Sequence, residues 1–176
     1  VRKFSEDING EYRQESLASL LAISTRTRPK EYRSIPLNET PSHSLWIDPV
    51  AGHIAWKFEA VIDRERWRKQ QGIIENRAPV RIPLPEEVSS RLKVLLSTNP
   101  TATNLGELFG GHLAALDSST KRYLKNISTC SHRLTLGRLT SSFSRYVLHI
   151  CQDEAYSSLL GIDFRIGTPS NFNYCS

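Results

Sequence analysis

Leu17, Leu20, Leu21 and Ile23 recur at helical spacing between Gln14 and Ser24, with Glu15 and Ser16 suited to a first turn. This predicts a helix over 14–24 with its apolar residues facing a core. The pattern then breaks: Thr25 to Pro41 is basic and interrupted by Pro29, Pro36 and Pro41. Only short helical turns fit there, one of them starting at Pro29, whose fixed φ and missing N–H suit a first helical position. The runs Ser44–Asp48 and His53–Phe58 flank Pro49-Val50-Ala51-Gly52 and predict a β-hairpin. A third strand is expected at Pro79–Pro83, after a charged insertion from Asp63 to Arg77. Past Pro85, Glu86 and Glu87 suit the positive end of a helix dipole, and Val88, Leu92, Val94, Leu95 and Leu96 mark the helix itself. Further helices are expected at Asn104–Leu116, Ser118–Asn126, Leu136–Cys151 and Asp153–Leu160, with Gly161 as a stop. The predicted class is α+β, a mostly helical domain with a small three-stranded antiparallel sheet. One domain over residues 1–176 is expected, because a single core accommodates a chain of this length.

Composition agrees with a folded globular chain, 39% hydrophobic and 23% charged. Lys and Arg number 23 against 18 Asp and Glu, and the pI near 9.3 points to an anionic partner, nucleic acid first. Arg26 and Lys30 in the first basic stretch, and Arg64, Arg66, Lys69 and Arg77 in the insertion, are candidate DNA contacts. The insertion is expected to be an exposed excursion that orders on DNA, because its charge leaves little to bury. Trp46, Trp56 and Trp67 lie near basic residues and could stack on bases, but Trp46 and Trp56 alternate with apolar neighbours on predicted strands, which favours core packing.

Cys130, Cys151 and Cys175 are odd in number and show no C-x-x-C spacing. Neither a disulfide framework nor a zinc site is suggested, and a reducing, intracellular compartment is expected. His43, His53, His112, His132 and His149 lie too far apart for a local metal-ligand pattern, so no metal or other cofactor is expected. No apolar run approaches the roughly 18–20 residues of a membrane span, and no membrane partner is expected. The chain has no methionine, even at position 1, which suggests that something precedes Val1.

Four polar signposts, in this order of elements, resemble the catalytic domain of tyrosine recombinases, the phage integrase family, from about Ser16 onward. Thr25-Arg26-Thr27-Arg28-Pro29-Lys30-Glu31, closing the first helix, is similar to the family's Thr-Gly-x-Arg-x-x-Glu. Val80-Arg81-Ile82-Pro83-Leu84-Pro85 resembles its third strand and the approach to the next helix. Thr135-Leu136-Gly137-Arg138 resembles its His-x-x-Arg, and Leu159-Leu160-Gly161 followed by a tyrosine resembles its Leu-Gly-His ahead of the nucleophile. The resemblance implies that Arg28 and Arg138 are the catalytic arginines and Tyr174 the nucleophile. It also implies a general-acid lysine near the turn between strands two and three, for which Lys57 and Lys69 are the candidates. Thr135 and Ile162 depart from the family, which usually has His at the first position and His or Trp at the second. His132, three positions before Thr135, and Arg165, nine before Tyr174, are candidate substitutes.

The chemistry suits these residue types. A DNA phosphodiester resists attack because its oxygens are anionic and the leaving alkoxide is poor, so charge must be neutralised and the departing oxygen protonated. Two guanidiniums neutralise it bidentately at every working pH, and a phenol, once deprotonated, forms a phosphotyrosine that keeps the bond energy for rejoining. Tyr174 follows a loop-like Gly167-Thr168-Pro169, whereas Tyr146 and Tyr156 lie inside predicted helices as core or rim residues. The resemblance implies double-stranded DNA as partner, self-association on DNA, a cytoplasmic, nucleoid-associated location, and a separate N-terminal clamping domain that these residues lack. Two alternatives stay open: a catalytically degenerate DNA-binding protein on the same fold, and a helical interaction protein with no nucleic-acid role. If the first reading holds, Arg28 and Arg138, though far apart in the chain, converge with a basic residue on one concave, positive surface.

Overall fold

From Ser16 to Thr25 no side chain carries a charge, and helix α2 (Arg13–Thr25) buries every residue of that stretch. The computed structural model describes residues 2–57, 79–129, 133–143, 149 and 152. Expected as a helix with one face on a core, α2 is instead enclosed all round. Its small residues Ala18, Ser19 and Ala22 allow close approach, and its hydroxyls bond back into its own backbone: Ser19 Oγ to Glu15 O at 2.7 Å, Ser24 Oγ to Leu20 O at 3.0 Å and Thr25 Oγ1 to Leu21 O at 2.7 Å. Polar groups so satisfied can be buried at little cost.

A helix absent from the sequence expectations, α1 (Arg2–Asp7), precedes it. Phe4 and, just after the helix, Ile8 enter the core, and the Ser16 hydroxyl donates to Phe4 O. After α2 a 3-10 helix, Pro29–Ser34, begins at the expected proline and buries Tyr32, whose hydroxyl donates to Ala18 O at 2.8 Å. Burial, and the negative charge of Asp117, push the Tyr32 phenol well above its ordinary pKa.

The sheet has the expected three antiparallel strands, β1 (Leu45–Asp48), β2 (His53–Trp56) and β3 (Val80–Pro83), in that order. Ile47 pairs with Ile54 and Ile54 with Ile82, one fully buried row facing the core. Trp46, Ala55 and Arg81 form the opposite row, where Trp46 is buried apart from the main core. Trp56 is half-buried and packs on Phe143 with ring centroids 5.5 Å apart. Both tryptophans thus pack as their alternation predicts; Trp67 lies outside the described residues. Gly52 closes the hairpin at φ 70, a left-handed conformation glycine adopts freely, and its carbonyl accepts from Leu84 N at 2.9 Å.

Helix α3 (Glu86–Thr98) starts where its acids predict. The next expectation is corrected. In place of helices at 104–116 and 118–126 stand a single turn, α4 (Leu105–Leu108), and one helix, α5 (Leu113–Ile127). Gly110 and Gly111 both take positive φ, 73 and 78, which ends α4, whereas Ser118 lies inside α5. Asn104 caps α4 by accepting from Glu107 N at 3.1 Å, while Glu107 Oε2 accepts from Thr103 N at 2.6 Å, a reciprocal capping arrangement. Helix α6 (Leu136–Ser141) begins where expected. Most of 144–151, the predicted helix at 153–160 and the Asp63–Arg77 insertion lie outside the described residues. Among the described residues no helix is long and apolar enough to cross a membrane.

Candidate nucleic-acid interface

Helices α2 and α6 pack together, and the turns at the end of α2 and the start of α6 carry the arginines. At the α2 terminus the Thr25 hydroxyl, itself bonded to Leu21 O, accepts from Thr27 N at 3.3 Å, and Thr27 Oγ1 returns a bond to Thr25 O at 2.9 Å. Between them Arg26 takes φ 58, ψ 17, a left-handed helix cap on a residue with a side chain. The chain then turns extended at Arg28, φ −79 and ψ 153, as a residue before proline must. Pro29 is buried and Arg28 exposed.

Thr135 caps α6: extended at φ −140, ψ 154, it accepts from Arg138 N through Oγ1 at 3.2 Å. Buried Leu136 and Leu139 anchor the helix, which leaves Gly137 and Arg138 toward solvent. Arg138 Nη1 donates to Arg133 O at 2.7 Å, which fixes one edge of its guanidinium. Arg28 reaches this same turn: its Nη2 lies 3.7 Å from the place a Cβ on Gly137 would occupy, and Thr135 Oγ1 lies 3.9 Å from that point. Arg28, 110 positions before Arg138 in the chain, therefore reaches the helix turn that carries Arg138.

Arg26 and Arg133 flank them in sequence, Arg133 exposed and Arg26 half-buried. Ion pairs among the described residues join Lys3 to Asp7, Lys30 to Glu31 and Lys121 to Asp117. None involves Arg26, Arg28, Arg133 or Arg138. Among the described residues these four arginines have no carboxylate partner in an ion pair, and the planar forks of Arg28 and Arg138 suit phosphate oxygens. Arg133 was missed in the sequence, where it stands outside the motif; only its position two residues before Thr135 signals it.

The other candidates fall elsewhere. Lys57 is half-buried and extends the hairpin by one backbone bond, its N–H donating to Ser44 O at 2.8 Å; no described contact joins it to the arginines. Lys30 is exposed on the 3-10 helix, 3.8 Å from Glu31 Oε1. Tyr174, His132, Arg165, Arg64, Arg66, Lys69 and Arg77 lie outside the described residues. A shallow depression lined by Asn9, Glu86, Glu87, Ser90, Arg91 and Val94 includes none of the four arginines. Among the described residues no group of three or more His, Cys, Asp or Glu side chains is arranged to hold a metal. No family model, no curated protein and no solved structure matches the chain.

Proposed function

We propose that this chain is a DNA breaking-and-joining domain of the tyrosine recombinase type, cutting one strand through a 3'-phosphotyrosyl intermediate on Tyr174. The observation that carries the reading is the approach of Arg28 to Gly137 at the start of α6, the residue before Arg138. Two guanidiniums there can hold the two non-bridging oxygens of a single phosphate. The Tyr174 hydroxyl gives its proton to a base, for which His132 is the candidate, and its oxygen attacks phosphorus; the bond to the 5'-oxygen breaks, and that oxygen leaves as a hydroxyl after taking a proton from a general acid, Lys57 or Lys69. Rejoining is the same sequence reversed. The local turn adds support. In Thr-Gly-x-Arg-x-x-Glu, glycine stands where Arg26 stands here, and Arg26 takes the left-handed conformation that glycine adopts freely.

A second reading, a DNA-binding protein of the same type without catalysis, is favoured by Thr135. Its hydroxyl is engaged in capping α6 and has no basicity to offer a phenol. A single assay separates the two: incubation with a nicked duplex that traps the covalent intermediate, followed by denaturing electrophoresis. The catalytic reading expects an adduct that Tyr174→Phe abolishes while binding stays nearly unchanged, because the hydroxyl supplies the nucleophile and little electrostatic affinity. Arg28→Ala or Arg138→Ala removes transition-state stabilisation on the order of 3–4 kcal/mol. Each also lowers the slope of log affinity against log salt by about 1. Binding with that salt dependence and no adduct supports the second reading, and salt-insensitive or absent binding overturns both.

A further inference from the structure

Gly137 stands in the first turn of α6, between buried Leu136 and exposed Arg138. Its φ is not among the positive ones, so the backbone there does not require glycine, and glycine weakens a helix relative to alanine. What glycine does supply is room. A Cβ at this position would meet Arg28 Nη2 at 3.7 Å and Thr135 Oγ1 at 3.9 Å, so a larger side chain would grow into the region the Arg28 guanidinium occupies. We infer that Gly137 is a positioning residue: its missing side chain leaves the space in which Arg28 rests against the α6 start, one residue from Arg138. The consequence for phosphate binding rests on the reading of these arginines given above; the contact itself does not.

Two variants grade the effect. A lone Cβ at 3.7 Å is an ordinary contact, so Gly137→Ala keeps Arg28 in place, whereas Gly137→Val fills two of the three staggered positions beyond Cβ and displaces it. On a short duplex DNA, Gly137→Val is expected to weaken binding by the same factor as Arg28→Ala and to lower the salt slope by about 1. The double variant Arg28→Ala/Gly137→Val should lose nothing further, and Gly137→Ala should bind like the parent. Losses that multiply in the double variant would show independent action and overturn the inference. A readout free of DNA accompanies this and also serves if Gly137→Val fails to fold. In Gly137→Ala the Nε–Hε NMR signal of Arg28 shifts, while that of Arg33, which lies against Gly106 and Gly111, does not. An unmoved Arg28 signal overturns the inference. A shifted signal in a protein that does not bind DNA upholds the contact and overturns only the phosphate reading.

Discussion

At φ 58, Arg26 carries the conformational cost of a left-handed residue with a Cβ, about 1–2 kcal/mol. Replacing it with glycine removes that cost but gives the unfolded chain freedom of similar worth. Thermal stability of Arg26→Gly should therefore stay within about 1 kcal/mol of the parent. Arg26→Val, with a branched Cβ, should lose about 1–3 kcal/mol. Melting curves of the three proteins test this, and a valine variant as stable as the parent would contradict the left-handed cap. A second residue-scale prediction concerns Asp7, which accepts from Lys3 Nζ at 2.8 Å and from Tyr123 Oη at 2.7 Å. These donors hold its carboxyl below the ordinary range, the Lys3 bond first. A depressed folded pKa contributes stability that is complete above the unfolded value of 3.8 and is lost as pH falls through the folded one. Tyr123→Phe should cost about 1 kcal/mol at neutral pH, and denaturant titrations should find that gap narrowing below pH ~4. A gap that widens in acid would contradict the assignment.

Among the elements, those whose signals are local were legible in the sequence. The apolar run of α2, Pro29 at the head of the 3-10 helix, the hairpin around Gly52 and the acids opening α3 each announce themselves within a few residues. Helix α1 does not, because its place depends on Tyr123, 116 positions away, and on the Tyr12–Tyr123 stacking at 5.4 Å. The split at Gly110-Gly111 went unread because two glycines tolerate a helix pattern until both take positive φ. In the candidate interface, Arg28 and Arg138 stand out in the sequence only through the resemblance, and the approach of Arg28 to the turn that carries Arg138 depends on α2 packing against α6, which no local pattern encodes. At the hairpin, Gly52→Ala forces a Cβ into φ 70 and to 2.6 Å from Ser89 Oγ. The hydroxyl can turn away about χ1, so the backbone dominates and the expected loss is about 1–2 kcal/mol. Repeating the substitution in a Ser89→Ala background should reduce that loss only slightly; full recovery there would assign it to the side-chain clash instead.

At the scale of the whole molecule, a net charge of +5 is modest, and the distinctive feature is the approach of Arg28 to the helix turn that carries Arg138. Its frame is α2, which packs against α1, α3, α5 and α6. No backbone amide from Leu17 to Ile23 can meet water while those partners stay in place, so its protons should exchange with deuterium only when the entire molecule opens. Hydrogen exchange should therefore find these amides the slowest, sharing one opening free energy equal to that from denaturant melts, with α1 and α4 opening earlier at lower free energy. Because Arg28 lies five residues beyond Ile23 and α6 packs against α2, the approach of Arg28 to the α6 start should survive sub-global openings of the rest of the chain and vanish only with the final cooperative unit.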